Sequence, residues 1–104
     1  MKIESKIIGN KIVILPSGEI KGINSIKLSE VLERYRKSRY NQIIVDFRNV
    51  AFFDSSCLGS LIYSQVVLNK HNKKLALCVP HNHLERILQD FSFSEAFEII
   101  ESYE

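Results

Sequence analysis

Asp54-Ser55-Ser56-Cys57-Leu58-Gly59 brings a carboxylate, two hydroxyls and a thiol into one short run. The β-branched stretch Ile43-Ile44-Val45 leads towards it, and an apolar-periodic stretch, residues 58–68, leads away. The two hydroxyls are therefore expected where a buried strand gives way to a helix. The first N–H groups of a helix have no partner inside it, and they carry the positive end of its dipole. A phosphate on a serine at that point is expected to be received by those groups. Such junctions also lie at the edge of a sheet, where a kinase can reach them. The chemistry suggested is a serine whose charge state can be switched.

The elements that must position this run are legible at low resolution. Residues 2–8 and 12–15 read as two strands joined by Gly9-Asn10, a hairpin dipeptide. Pro16-Ser17-Gly18 is expected to end the second strand. Residues 25–37 read as a surface helix with Leu28, Val31, Leu32 and Tyr35 on one apolar stripe. Residues 43–47 do not alternate, which suits a strand covered on both faces. Residues 48–53 read as a loop with an apolar underside. A second helix is expected over 55–71, with Leu58, Leu61, Ile62, Gln65, Val66 and Asn69 on its mixed face. Residues 75–79 form another buried strand, closed by Pro80. Asn82 and Glu85 make a capping box for a third helix over 83–90, with Leu84, Ile87 and Leu88 inward. Residues 97–100 read as a last strand or short helix. The order predicts one α/β domain over residues 1–104: a mixed, mostly parallel sheet with three to four helices packed on it.

Composition narrows the function classes. The chain has 104 residues, enough for one core, and a formal net charge of +2. That charge offers no electrostatic footprint for nucleic acid or an anionic membrane. Apolar runs of about five residues are far too short to span a bilayer. Met1-Lys2-Ile3-Glu4 is followed by more charge and not by an apolar centre of leader length, so a reducing cytoplasm is expected.

Asp46-Phe47, Val50, Phe52, Asp54-Ser55-Ser56 and Leu58-Gly59 together resemble the signature of STAS domains, found in anti-sigma-factor antagonists and in sulfate transporter tails. Gly18-Glu19-Ile20 resembles the family's Gly-Glu-Leu, and residues 91–99 resemble its closing segment. The resemblance implies a binding protein that is not an enzyme and needs no cofactor. It implies that Ser55, directly after the motif aspartate, is phosphorylated by a partner that is both anti-sigma factor and serine kinase. The unphosphorylated form would bind that partner and free a sigma factor for transcription, and a PP2C-type phosphatase would reset the cycle. Asp54, Ser56, Cys57, Leu58, Gly59 and Lys21 would then form the partner surface. Three residues depart from the family pattern. Cys57 stands where glycine is usual, Lys21 where an acid is common, and Ser92 where the third helix ends on glycine. The alternative within the family is a STAS scaffold or accessory subunit of a stressosome or of a lipid or anion transporter.

Other chemistries are weaker. Cys57 near a helix start is either a thiol of lowered pKa or a packed core residue. Cys78, His81 and His83 have some metal-ligand character but match no zinc spacing. Neither a Walker loop nor Gly-x-Gly-x-x-Gly is present. No general base stands beside Cys57 or Asp54 in sequence to support an enzyme.

Overall fold

Gly9 opens the chain's first turn with a φ of +60°, which an L side chain resists, and β1 (Lys2–Ile8) folds back on β2 (Lys11–Ile20) as an antiparallel hairpin. The computed structural model describes residues 1–79 and 96–103. After β2 come α1 (Asn24–Glu33), β3 (Gln42–Asp46), β4 (Val50–Phe53), α2 (Ser55–Lys70), β5 (Lys74–Cys78) and β6 (Glu98–Ile100). The main sheet runs β1-β2-β3-β5-β6, with every pair after the hairpin parallel.

The mixed, mostly parallel sheet matches the expectation. The described residues hold the first two of the expected three to four helices. The capping box at Asn82 and Glu85, the helix over 83–90, Pro80, and Ser92 lie outside the described residues.

Alternation along the central strands gives the sheet two faces. Ile12, Ile14, Ile43, Val45, Leu75 and Leu77 point to the face covered by α1 and α2, where Leu28, Leu32, Cys57, Leu61 and Leu68 meet them. Val13, Ile44, Ala76 and Cys78 point to the other face, where Ile100 and Tyr103 pack. Burying a leucine-sized side chain contributes roughly 1.5–3 kcal/mol, so the helix-covered face supplies most of the packing free energy.

Two expectations about the second strand fail together. β2 does not end at Pro16; it continues to Ile20. Residues 50–53 are not a loop but a parallel strand paired to Gly18, Glu19 and Ile20. Pro16 falls between the stretch of β2 paired to β3 and the stretch paired to β4, so its missing N–H interrupts neither ladder. Gly18, at φ +86°, opens the pairing to β4, its N–H donating to Asn49 O at 3.0 Å, and the register shifts between Gly18 and Glu19, leaving Ala51 without a partner on β2. The irregular burial of β4, with Val50 and Phe53 inside and Ala51 and Phe52 outside, follows from that shift and hides the period of two. Phe53 is locked edge-on against Phe47, ring centroids 5.5 Å apart.

Both helices also differ from the reading. α1 stops at Glu33, where three-residue turns take over, Tyr35 N–H donating to Leu32 O and Arg36 N–H to Glu33 O. α2 is rotated about its axis relative to the expected stripe: Cys57, Leu61, Ser64 and Leu68 face inward, and Ile62 and Val66 face out. Small residues on both helices, Ser25 and Ser29 on α1 with Cys57 and Ser64 on α2, are buried. Asn72, at φ +60°, ends α2's exit turn.

Gly18 and Gly59 give opposed expectations from the same substitution. A Cβ meets nothing within 4 Å at either site. Gly18→Ala is penalised by its backbone conformation and should cost about 1–2 kcal/mol. Gly59→Ala, in the exposed face of α2, should gain about 0.5–1 kcal/mol. Urea unfolding of the two variants beside the wild type reads both signs.

Candidate functional site

The junction between β4 and α2 is organised by Asp54. Its backbone is extended, φ −117° and ψ −172°, and its carboxylate caps the helix. Oδ1 accepts the N–H groups of Ser56 at 2.9 Å and Cys57 at 3.3 Å. Oδ2 accepts the N–H of Gly22 at 3.1 Å, from the loop between β2 and α1. The Asp54 N–H donates to Ile20 O at 3.3 Å, which continues the β2–β4 pairing into the cap. The Gly22 loop is itself braced by Asn24, which accepts the Lys21 N–H at 2.8 Å and donates to Glu19 O at 3.0 Å. One carboxylate thus ties a loop of the first half of the chain to the start of α2.

The electrostatics follow from those donors. Desolvation alone would raise the Asp54 pKa, but hydrogen bonds from Gly22, Cys57 and Ser56 outweigh it and hold the carboxyl below its ordinary value. Asp54 is therefore ionised at neutral pH. Its carboxylate also holds the Ser56 and Cys57 N–H groups of the first helical turn. A phosphate on Ser55 would compete with Asp54 for those two groups.

The residues singled out in the sequence divide three ways. Ser55 and Ser56 are exposed in the first turn, and Gly59 is exposed one turn on. Leu58 is half-buried and packs on the core. Lys21 is exposed, its Nζ 3.6 Å from Glu19 Oε1, and its neighbour Gly22 is the residue that touches Asp54. Cys57 departs from the expected partner surface: its side chain is fully buried beneath α2. Burial first, and the Asp54 charge second, push its thiol up to about 12, so it is a packed core residue and no nucleophile.

Apolar side chains left in the open frame this junction. Ile23, next to Gly22, is 83% exposed, and Phe52 lies two residues before Asp54 at 42%. Along α2, Ser55, Gly59, Ile62 and Val66 recur at helical spacing on one outward face. Exposed apolar residues grouped around a polar centre mark interaction surfaces.

The reading of the sequence missed a second polar cluster. Asp46 is fully buried at the end of β3 on the sheet face that the helices do not cover. Its Oδ1 accepts the Arg48 N–H at 2.9 Å; its Oδ2 accepts Arg48 Nε at 2.8 Å and the Tyr103 hydroxyl at 2.7 Å. A carboxylate ending an apolar strand was a visible signal, whereas nothing in sequence links it to a tyrosine 57 residues on. A cleft of about 300 Å³ lies at the opposite end of the sheet, among the first residues of the strands, Lys11, Gln42, Lys74 and Glu98, away from the junction. Among the described residues no cluster of metal-ligating side chains occurs and no helix is long and apolar enough to cross a membrane; His81 and His83 lie outside them.

Comparison with known proteins places this geometry in a family. The model of the STAS domain matches residues 2–104, and the chain belongs to that family. Its fold is similar to that of an anti-sigma factor antagonist from Mycobacterium paratuberculosis, with a TM-score of 0.82 and 16% identity over 97% of this chain and 86% of the other. The anti-sigma factor antagonist SpoIIAA in its unphosphorylated form gives 0.73 at 15% identity over 98% and 90% of the two chains. The phosphorylated form of SpoIIAA, from Bacillus, gives 0.69 at 16% over 97% and 93%. A sulfate transporter family protein from Wolinella succinogenes gives 0.69 at 17% over 90% and 79%. None of the curated proteins compared matches this chain by sequence.

Two measurements check the site. Asp54→Ala removes the cap and should lower Tm by about 4–8 °C at neutral pH, whereas Asp54→Asn keeps an acceptor, loses only the charge and should lower it by less. A carboxyl with a lowered folded pKa stabilises above its unfolded value of 3.8 and loses that contribution as pH falls through the folded value. The gap between wild type and Asp54→Asn should therefore stay constant above about pH 5 and close below 3.8. A thiol reagent at pH 7.5 should leave Cys57 unlabelled in the folded chain and label it in denaturant.

Proposed function

We propose that this chain is a phosphorylation-controlled binding module with Ser55 as phosphoryl acceptor, acting as an anti-sigma-factor antagonist in the cytoplasm. The observation that carries this reading is an exposed hydroxyl on the first turn of α2, directly after a cap that fixes the turn's position, with exposed apolar residues on either side. The partner is an anti-sigma factor with serine kinase activity, and a PP2C-type phosphatase reverses the modification. Unphosphorylated, the surface formed by Asp54, Ser55, Ser56, Gly59, the Lys21 loop and the outward face of α2 docks the partner and releases a sigma factor. The module performs no reaction of its own.

The switch is electrostatic. A phosphoserine adds about −1.5 to −2 charges at pH 7. Asp54 already engages the nearest helix N–H groups, so the added charge is neutralised poorly within the domain and faces the partner instead. Desolvating or repelling such a charge in an interface costs on the order of 2–5 kcal/mol. That weakens binding roughly 30-fold to several-thousand-fold, with no refolding. Similarity to SpoIIAA in phosphorylated and unphosphorylated forms supports the reading.

A scaffold or transporter-accessory role is the second reading. It is favoured by Lys21, which puts a positive charge beside the junction where the family often has an acid, and by the likeness to a sulfate transporter family protein. A histidine-kinase-like ATPase gene beside this one favours the switch; a transporter operon favours the accessory role.

The test is calorimetric titration of the candidate anti-sigma kinase with three chains. Wild type and Ser55→Ala should bind alike, and Ser55→Asp should bind at least about 30-fold more weakly. Equal affinity for Ser55→Ala and Ser55→Asp overturns the proposal.

A further inference from the structure

We infer that the segment after β6 is a strap, locked by Tyr103 onto the uncovered face of the sheet, and that it sets the rigidity of the β3–β4 turn that leads to Ser55. Four parts of the chain meet at the Tyr103 side chain. Its hydroxyl donates to the buried Asp46 Oδ2 at 2.7 Å and accepts from Arg48 Nη2 at 3.3 Å. Lys6 of β1 lies against the same side chain, its Nζ 5.0 Å from the ring centroid. The Arg48 guanidinium lies over the same ring at 5.7 Å. Upstream, the Val79 N–H donates to Ile100 O at 3.0 Å and the Cys78 thiol donates to Glu101 O at 3.5 Å, so the strap is held along its length.

The connection to the junction is continuous in the chain. Asp46 holds both the backbone and the side chain of Arg48, which fixes the turn after β3. The turn then closes through Val50 N–H to Phe47 O at 3.0 Å and Gly18 N–H to Asn49 O at 3.0 Å. β4 follows, and Asp54 caps α2 at its end. Asp46 and Asp54 are thus the two anchors of the segment that delivers Ser55, and Tyr103 holds the first. Removing the hydroxyl leaves a buried carboxylate one donor short, the costly form of a lost hydrogen bond. The turn relaxes to find a substitute, and local opening of β4 and the first turn of α2 becomes more frequent. A partner that lifts the strap would act in the same way. Use of this coupling as regulation rests on Ser55 being the acceptor; the coupling itself does not.

Amide hydrogen exchange on the whole chain tests it without a kinase. Tyr103→Phe keeps the ring and removes the hydroxyl, and Tyr103→Ala removes both; Tyr63→Phe, at an exposed position on α2, is the control. Tyr103→Phe should speed exchange at Arg48, Val50 and residues 53–58 by about tenfold, the scale of one charge-assisted hydrogen bond, and Tyr103→Ala by at least as much. Residues 43–45 and 75–77, in the central strands, should be unchanged in Tyr103→Phe, and Tyr63→Phe should match wild type throughout. Exchange at 48–58 within twofold of wild type in Tyr103→Phe overturns the inference. So does a uniform increase that includes the central strands, because that reports general destabilisation. Should Tyr103→Ala fail to fold, Tyr103→Phe decides alone.

Discussion

The Asp54 carboxylate accepts N–H groups from two places that the chain itself does not join, the loop at Gly22 and the first turn of α2. A neutral side chain could cap the helix, but it would lack the charge that strengthens all three bonds at once. Everything local follows from that shared acceptor. The Gly22 loop is drawn against the start of α2, Ile23 is left in the open beside it, and Ser55 is exposed at the position after Asp54. The core beneath is ordinary close packing, with Phe47 against Phe53 and Cys57 among aliphatic neighbours. It provides a rigid floor, so the junction has little freedom to move when its charge changes.

The same acceptor shapes the meaning of a modification. Where a helix N-terminus is unoccupied, it neutralises an incoming anion. Here the cap is already an anion, so a phosphate on the next residue would add to a negative site. The domain would tolerate the change because the site is exposed, and the consequence would fall on whatever docks there. On the proposed reading the Asp54-Ser55 pair would concentrate charge at a docking surface, and the fold would serve to keep it exposed.

Much of this was readable from the residues. The hairpin at Gly9-Asn10, the β-branched run of β3 and the helical type of α2 each carry one dominant local signal, and each element forms where that signal places it. β4 was hidden because its register with β2 shifts after Gly18, which scrambles the alternation that marks a strand. The phase of α2 was misread because its inward positions include Cys57 and Ser64, while larger apolar residues, Ile62 and Val66, face outward. At the site, the Asp54-Ser55 pair stood out in the sequence through the motif, and its place at the start of α2 through the periodicity that follows. The contact with Gly22, and that between Asp46 and Tyr103, were not, since both depend on topology that brings distant segments together.

The central claim is that Ser55, held outward by the Asp54 cap, is the group a kinase modifies. Incubating the chain with the anti-sigma kinase and ATP, then mapping phosphopeptides by mass spectrometry, addresses it most directly. The account predicts one phosphate, on Ser55, and none on a Ser55→Ala chain. Phosphate on Ser56 or elsewhere in the wild type, or undiminished incorporation into Ser55→Ala, would contradict it.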